Sequence, residues 1–255
     1  MNDPHVEALI YYVMHGKGIS YEKSAPFTHE TADFFVRIAT VEARFEMKQH
    51  FATVNAAREI VEPFIRKWEL HTVLERGPGE FQLRYKTADI VDRNPTPLPP
   101  GQHFVTASAV LNISTSMSAV VRRVQYPPPC DNFGVNADIE ALILRYGRYR
   151  EDRGTLADVG NLCLTVLEKA AGGRTAAAVK FGVSSQVLKK MGRLTSEHGG
   201  LEARKSIGFT APFSSSEREW LEAAVKRLIR RAAEVAHDPS NPRPPITMAN
   251  LQQLI

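Results

Sequence analysis

The sequence predicts an α+β protein, an N-terminal mostly antiparallel sheet with a covering helix followed by a C-terminal helical bundle, and three observations predict it. Period-two alternation fills the first half, as in "FFVRIATVEARFEMKQHF" at 34–51, the pattern of strands with one buried face. Beyond residue 134, β-branched alternation gives way to apolar residues at helical spacing. Three proline runs, "NPTPLPPG" at 94–101, "YPPPCDNFG" at 126–134 and "NPRPP" at 241–245, cannot continue a helix or a central strand. The second run is read as the domain boundary. The division is therefore a sheet domain over 1–130, a helical domain over 131–238 and a C-terminal tail over 239–255.

The elements follow in chain order. "HGKGIS" at 15–20 reads as a hairpin loop, because Gly16 and Gly18 lack the third glycine or the lysine-serine pair of a phosphate-binding loop. Strands are expected over 34–51, 68–91 and 103–126, with "ERGPGEFQLRY" a hairpin turned by Gly77-Pro78-Gly79. Between them, Val54, Ala57, Ile60, Val61, Phe64 and Trp68 share one helical face, and Pro63 is expected to kink or interrupt that helix. One helix on one sheet face buries both apolar surfaces. In the second half, Ile139, Leu142, Ile143, Tyr146 and Tyr149 form a stripe. Thr155 caps the next helix and Gly172 or Gly173 stops it. Ser214 with Glu217, or Ser216 with Glu219, fits a capping box that starts a long helix near 215.

Composition bounds the function. The 255 residues are 43% hydrophobic and 24% charged, as in ordinary globular proteins. The opening residues lack a basic leader with a cleavage site, and no apolar run reaches the ~20 residues that span a bilayer. A cytoplasmic protein with no membrane association is expected. Cys130 and Cys163 stand far apart in sequence, which argues against a disulfide framework or structural zinc and for two packing residues. The eight histidines never pair at metal-ligand spacing, so neither metal nor cofactor is expected. The Asn112-Ile113-Ser114 sequon carries no weight in such a compartment. Asp89, Asp92, Asp131 and Asp138 read as solvated surface. A net charge of +4 permits contact with phosphate backbones, and the cations thicken toward the C-terminal half, in "RYGRYREDR", "KFGVSSQVLKKMGR" and "KRLIRR".

The stretch "AAAVKFGVSSQVLKKMGRL" (176–194) reads as two short helices hinged at a glycine. Ala177 or Ala178 supplies the small residue for close approach, Gly182 the turn, Val183 a core plug and Ser184 an N-cap, while Val187, Leu188 and Met191 face inward. That leaves Ser185, Gln186, Lys189, Lys190 and Arg193 outward, types that hydrogen-bond base edges or phosphates. The spacing, over about 174–194, resembles the helix-turn-helix of bacterial regulators and recombinases. The bland alternative is a packed helical corner with a solvated basic face.

A second pattern runs from "LRYGRYREDRGTL" through "LCLTVLEKAAGG" to "RRAAEVAH". It resembles the HEPN helical bundles of toxin and defence proteins, over about 137–237. The resemblance implies that Arg231, or Arg230, with His237 would act at a scissile RNA phosphate. The chain departs from the family in carrying Ala232, or the second arginine, where a polar residue usually follows the arginine. The alternative is a basic helix end in which His237 complements the helix dipole. The long helix itself puts Trp220, Leu221, Ala224, Leu228, Ala232 and Val235 on one side and Lys226, Arg227, Arg230 and Arg231 on others. That suits the outer helix of a bundle, or a basic face for nucleic acid, an anionic membrane or an acidic partner.

No convergent acid, base and nucleophile emerges, so a non-enzymatic binding protein is expected, contacting nucleic acid through the basic helical half. The alternatives are an interaction scaffold of a bacterial stress or defence complex and a HEPN-like ribonuclease. The terminal "ITMANLQQLI" suits a docking strand or helix on its own domain, on a second copy or on a protein partner.

Overall fold

The structure, a computed structural model, describes residues 2–95, 121–197 and 212–252. Most of the strand expected over 103–126 lies outside the described residues, as do nearly all of the first proline run and the sequon. Two compact units emerge, one of residues 1–66 and 79–128, the other of residues 67–78 and 129–255. The chain is α+β: an antiparallel sheet fills the first unit and helices fill the second.

The strands of the first unit are β1 (Pro4–Met14), β2 (Ile19–Ser20), β3 (Phe27–Glu30), β4 (Phe34–Ala39), β5 (Glu42–Met47), β6 (Gln82–Asp92) and β7 (Val121–Arg122). Five of them form one sheet in the order β3-β4-β5-β1-β6, with all neighbours antiparallel. The two short strands, β2 and β7, make a separate parallel pair. "HGKGIS" is therefore a turn that leads into β2 rather than a hairpin loop. Within 34–51 the alternation breaks at Thr40, whose φ of 58° makes the β4-β5 reversal. Registers Leu9↔Phe45, Val36↔Phe45 and Ile38↔Ala43 line up the buried face. Ile10↔Arg44 and Tyr12↔Glu42 line up the other, where Arg44 bonds Asp89 and Lys86 bonds Glu42. Asp89 thus belongs to a sheet-face network, and Asp92 accepts the backbone N–H groups of Asn2 and Asp3 at 2.9 Å.

The segment 68–76 corrects the hairpin expectation. It is the second half of one helix, α1 (Val54–Arg76), and only the residues from Gln82 onward form a strand. Period-two and helical spacing coincide over so short a run, and Trp68, Leu70 and Leu74 satisfy both. Pro63 sits inside α1 without ending it. The carbonyl that proline cannot bond, four residues back, is that of exposed Glu59, on the solvent side of the helix. The first turns of α1 pack on the sheet, with Phe64 edge-on to Phe34 and Phe45 and Arg58 stacked 4.7 Å from the Tyr85 ring centroid. Leu70 and Leu74 belong instead to the core of the second unit.

That unit consists of α2 (Ala137–Arg150), α3 (Leu156–Ala171), α4 (Arg174–Lys180), α5 (Ser185–Glu197), α6 (Ser215–His237) and α7 (Met248–Gln252), with the end of α1. Side chains cap the helices where the sequence places them. Thr155 accepts from Asp158 N, Gly172 stops α3 in the left-handed region, and Ser214 with Glu217 forms the capping box. Two glycines permit close approach. A Cβ on Gly160 would meet Thr195 Cγ2 at 2.6 Å, where α3 crosses α5, and one on Gly134 would strike the backbone of His237 at 2.5 Å. The expectation that α6 is an outer helix is corrected. Trp220, Leu221, Val225, Leu228, Ile229, Arg231 and Ala233 are buried over a wide arc of it, so α6 packs into the core on more than one side. Nor is the segment after residue 238 a separate tail, since Ile246 and Leu251 are 2% and 1% exposed in that core.

Two left-handed glycines at the ends of α3 and α4 differ in what surrounds them. Gly182 holds φ at 58°, and a Cβ there would sit 3.0 Å from Arg231 Nη1; Gly172 holds φ at 81° with nothing within 4 Å. Left-handed backbone costs an alanine roughly 1–2 kcal/mol at either site. Gly182→Ala therefore lowers stability more than Gly172→Ala in urea unfolding. Equal losses would show that the Arg231 contact carries no energy.

Candidate functional site

The stretch 174–197 folds as α4, a four-residue turn and α5. Ala177 is buried in the helical core, Val183 is buried in the turn, and Ser184 Oγ accepts from Val187 N at 3.4 Å as the cap of α5. Val187, Leu188, Met191 and Leu194 are buried, so the opposite side of α5 is determined. It carries Ser185, Gln186, Lys189 and Arg193, all exposed. Lys190 departs from that outward row: it is half-buried, with Nζ 4.1 Å from the Trp220 ring centroid. Burial there, helped by the charge of Arg193 and opposed by Glu217, pushes Lys190 below the ordinary lysine range. Among the described residues, Lys189, Lys190 and Arg193 make no ion pair.

Several other cations of the unit are paired with carboxylates, although Arg148, Lys169 and Lys180 also make no ion pair among the described residues. Arg145 pairs with Asp158 at 3.2 Å, Arg174 with Glu168 at 2.5 Å and Arg153 with Glu151. On α6, Lys226 and Arg230 meet Glu75 at 3.0 and 3.1 Å. Glu234 collects Arg230 at 3.4 Å, Arg231 at 3.1 Å and, more loosely, Arg243 at 3.9 Å and Arg227 at 4.0 Å. Burial alone would raise the Glu75 carboxyl, but the hydrogen bond from Lys226 and the charges of Lys226 and Arg230 hold it below its ordinary value. Burial lowers His71, one turn before it on α1, against the pull of Glu75.

Arg231 and His237 lie on the same helix and line the same cavity of about 280 Å³, with Arg227, Arg230, Glu234 and Arg243. Their environments are opposite. His237 is exposed at the end of α6, whereas Arg231 is 1% exposed. The Arg231 guanidinium donates to Glu234 Oε2 at 3.1 Å, Phe181 O at 2.8 Å, Gly182 O at 3.4 Å and Pro244 O at 2.7 Å. Four acceptors engage a group with five N–H donors, and what it organises is the α4-α5 turn and the C-terminal segment. Ile246 N then donates to Gly182 O and Ser184 N to Ile246 O, both at 2.8 Å.

Sequence reasoning missed this clamp and the two carboxylates that quench α6. Glu234 had a signal, its i+3 and i+4 spacing from Arg231 and Arg230. Glu75 had none, because it lies about 150 residues from its partners in sequence. Among the described residues, no group of three or more His, Cys, Asp or Glu stands together as a metal site, and no helix is long and apolar enough to cross a membrane.

Burial separates the arginines by what their removal costs. Arg231→Ala takes the guanidinium from Phe181 O and Pro244 O and breaks the buried pair with Glu234, and costs about 3–5 kcal/mol, whereas Arg145→Ala removes a half-exposed pair and costs under about 1 kcal/mol; chemical denaturation of the two variants checks both. Because the folded Glu75 pKa lies below its ordinary 4.5, its contribution is present above that value and lost as pH falls through the lower folded one. Glu75→Gln accordingly flattens the loss of thermal stability between about pH 5 and pH 3.

Compared with protein-family models, with curated proteins and with solved structures, the chain finds no match.

Proposed function

We propose that the protein binds duplex DNA through the exposed face of α5, with Lys189 and Arg193 on phosphates, Gln186 and Ser185 toward base edges, and Lys190 flanking them. The observation that carries this reading is a contrast in charge pairing: Lys226, Arg230 and Arg231 of α6 are matched with Glu75 and Glu234, whereas among the described residues Lys189, Lys190 and Arg193 of α5 have no carboxylate partner. A cation without a carboxylate partner meets phosphate at no cost of breaking an existing pair, and releases counterions from the nucleic acid as it does so. Shape supports the same assignment. α5 has 13 residues and so runs about 20 Å, with the ~10–12 Å girth that a DNA major groove admits and the deep, narrow groove of RNA does not. Its entry is fixed by the left-handed Gly182 and the Ser184 cap, which leave Ser185 and Gln186 at the leading end, where the second helix of a helix-turn-helix reads bases.

Binding of mixed-sequence duplex DNA across a salt series tests the proposal. The affinity falls steeply with salt, and Lys189→Ala with Arg193→Ala reduces the slope of log K against log salt by about 2, roughly one for each phosphate no longer neutralised. Arg145→Ala, whose cation is already paired, leaves the slope as it is. A slope insensitive to the α5 pair removes α5 from the interface, and tighter retention of RNA than of duplex DNA rejects the groove assignment.

A further inference from the structure

The second unit contains a larger cavity of about 650 Å³, lined by Lys226, Arg227 and Arg230 of α6 and by Ile246 and Leu251 of the C-terminal segment. That volume lies within the range of small-molecule pockets. We propose that this cavity is a binding site for a small organic phosphomonoester, a doubly charged head carried on an apolar body.

Charge favours a dianion. Lys226, Arg227, Arg230, Arg231 and Arg243 gather around this cavity and the smaller one that shares Arg227, Arg230 and Pro244 with it. Among the described residues that line the two cavities, the only carboxylates are those of Glu75, Glu234 and Asp238, so two positive charges are left over. The excess is localised. Glu75 accounts for Lys226 and part of Arg230, and Glu234 is shared by four arginines, of which Arg227 is the farthest at 4.0 Å. Arg227 is thus the guanidinium with least internal compensation, and its side chain is 35% exposed. A guanidinium fork matches two oxygens of a phosphate.

An apolar wall of Ile246, Leu251, Pro244 and Pro245 favours an apolar body, and Ala223 adds carbon from α6, the helix that carries the cations. The wall is fixed before any ligand arrives, because Arg231 bonds Pro244 O, Ile246 pairs with the Gly182-Ser184 backbone, and Asn250 Nδ2 donates to Pro245 O at 3.0 Å. A cavity whose lining is already ordered loses little freedom on binding. Inorganic phosphate would leave this wall wet, and a neutral aromatic would leave the cations unmatched.

Calorimetric titration of the full chain with 1-naphthyl phosphate, inorganic phosphate and 1-naphthol tests the assignment. The ester binds saturably at one site, and each of the other two binds at least about tenfold more weakly. Arg227→Ala weakens the ester at least about tenfold, and so does Ala223→Phe, which fills the space and leaves every charge in place. Thermal melts verify that each variant folds, and if Arg227→Ala does not, Ala223→Phe decides alone. The proposal is overturned by absence of saturable ester binding below about 10 mM, by inorganic phosphate binding as tightly as the ester, or by ester binding that Ala223→Phe leaves unchanged.

Discussion

The burial of one guanidinium governs the helical unit. Arg231 is 1% exposed, and withdrawing such a charge from water costs several kcal/mol unless its donors find acceptors. It finds them in Glu234 on its own helix and in the carbonyls of Phe181, Gly182 and Pro244. These acceptors belong to three separate stretches of chain, so satisfying one side chain fixes the α4-α5 turn and the C-terminal segment against α6 together. The same requirement explains Gly182. Its carbonyl and that of Phe181 both accept from the guanidinium, and a Cβ at this left-handed position would crowd Arg231 Nη1 to 3.0 Å.

From this clamp follows the distribution of positive charge. Placing Arg231 inside obliges Glu234 to stay with it, and Glu234 then also lies within reach of Arg227, Arg230 and Arg243. Glu75 attends to another side of the same helix through Lys226 and Arg230. The cations of "KRLIRR" are therefore largely committed to internal pairs. On α5, Val187, Leu188, Met191 and Leu194 face the core, and among the described residues Lys189, Lys190 and Arg193 of the opposite side make no ion pair.

What was legible in the sequence and what was hidden divide along this line. Local chemistry could be read: the Thr155 and Ser214 caps, the Gly172 stop, the left-handed Gly182, the alternation at 34–47 and the inward row of α5 are each set by residues a few positions apart. The second half of α1 reads wrongly because "WELHTVLER" satisfies two periods at once and nothing local chooses between them. Its choice comes from Leu70 and Leu74 packing among helices far along the chain. The site was legible in part. Ser185, Gln186, Lys189 and Arg193 are exposed as their spacing implies, but Lys190 turns toward Trp220, a residue thirty positions away. The quenching of α6 by Glu75 and the burial of Arg231 were invisible for the same reason, being long-range pairings that leave no mark in periodicity.

The C-terminal segment illustrates how such a pairing imposes order on residues with little propensity of their own. Prolines 242, 244 and 245 restrict the backbone of their predecessors to extended conformations and remove N–H donors that would otherwise need partners. What remains to be satisfied is mostly carbonyls. Arg231 and Asn250 supply donors to Pro244 O and Pro245 O, and Arg243 turns back to donate to Glu234 O and Asp238 O at 2.6 Å. After Arg243 the next N–H is that of Ile246, which bonds Gly182 O while its own carbonyl accepts from Ser184 N. Proline stiffness brings the segment to the turn nearly preorganised, so one strand-like bridge at Val183 and Ile246 suffices to hold it. Lengthening that bridge toward the residues before Ile246 would require an N–H at Pro244, which proline lacks.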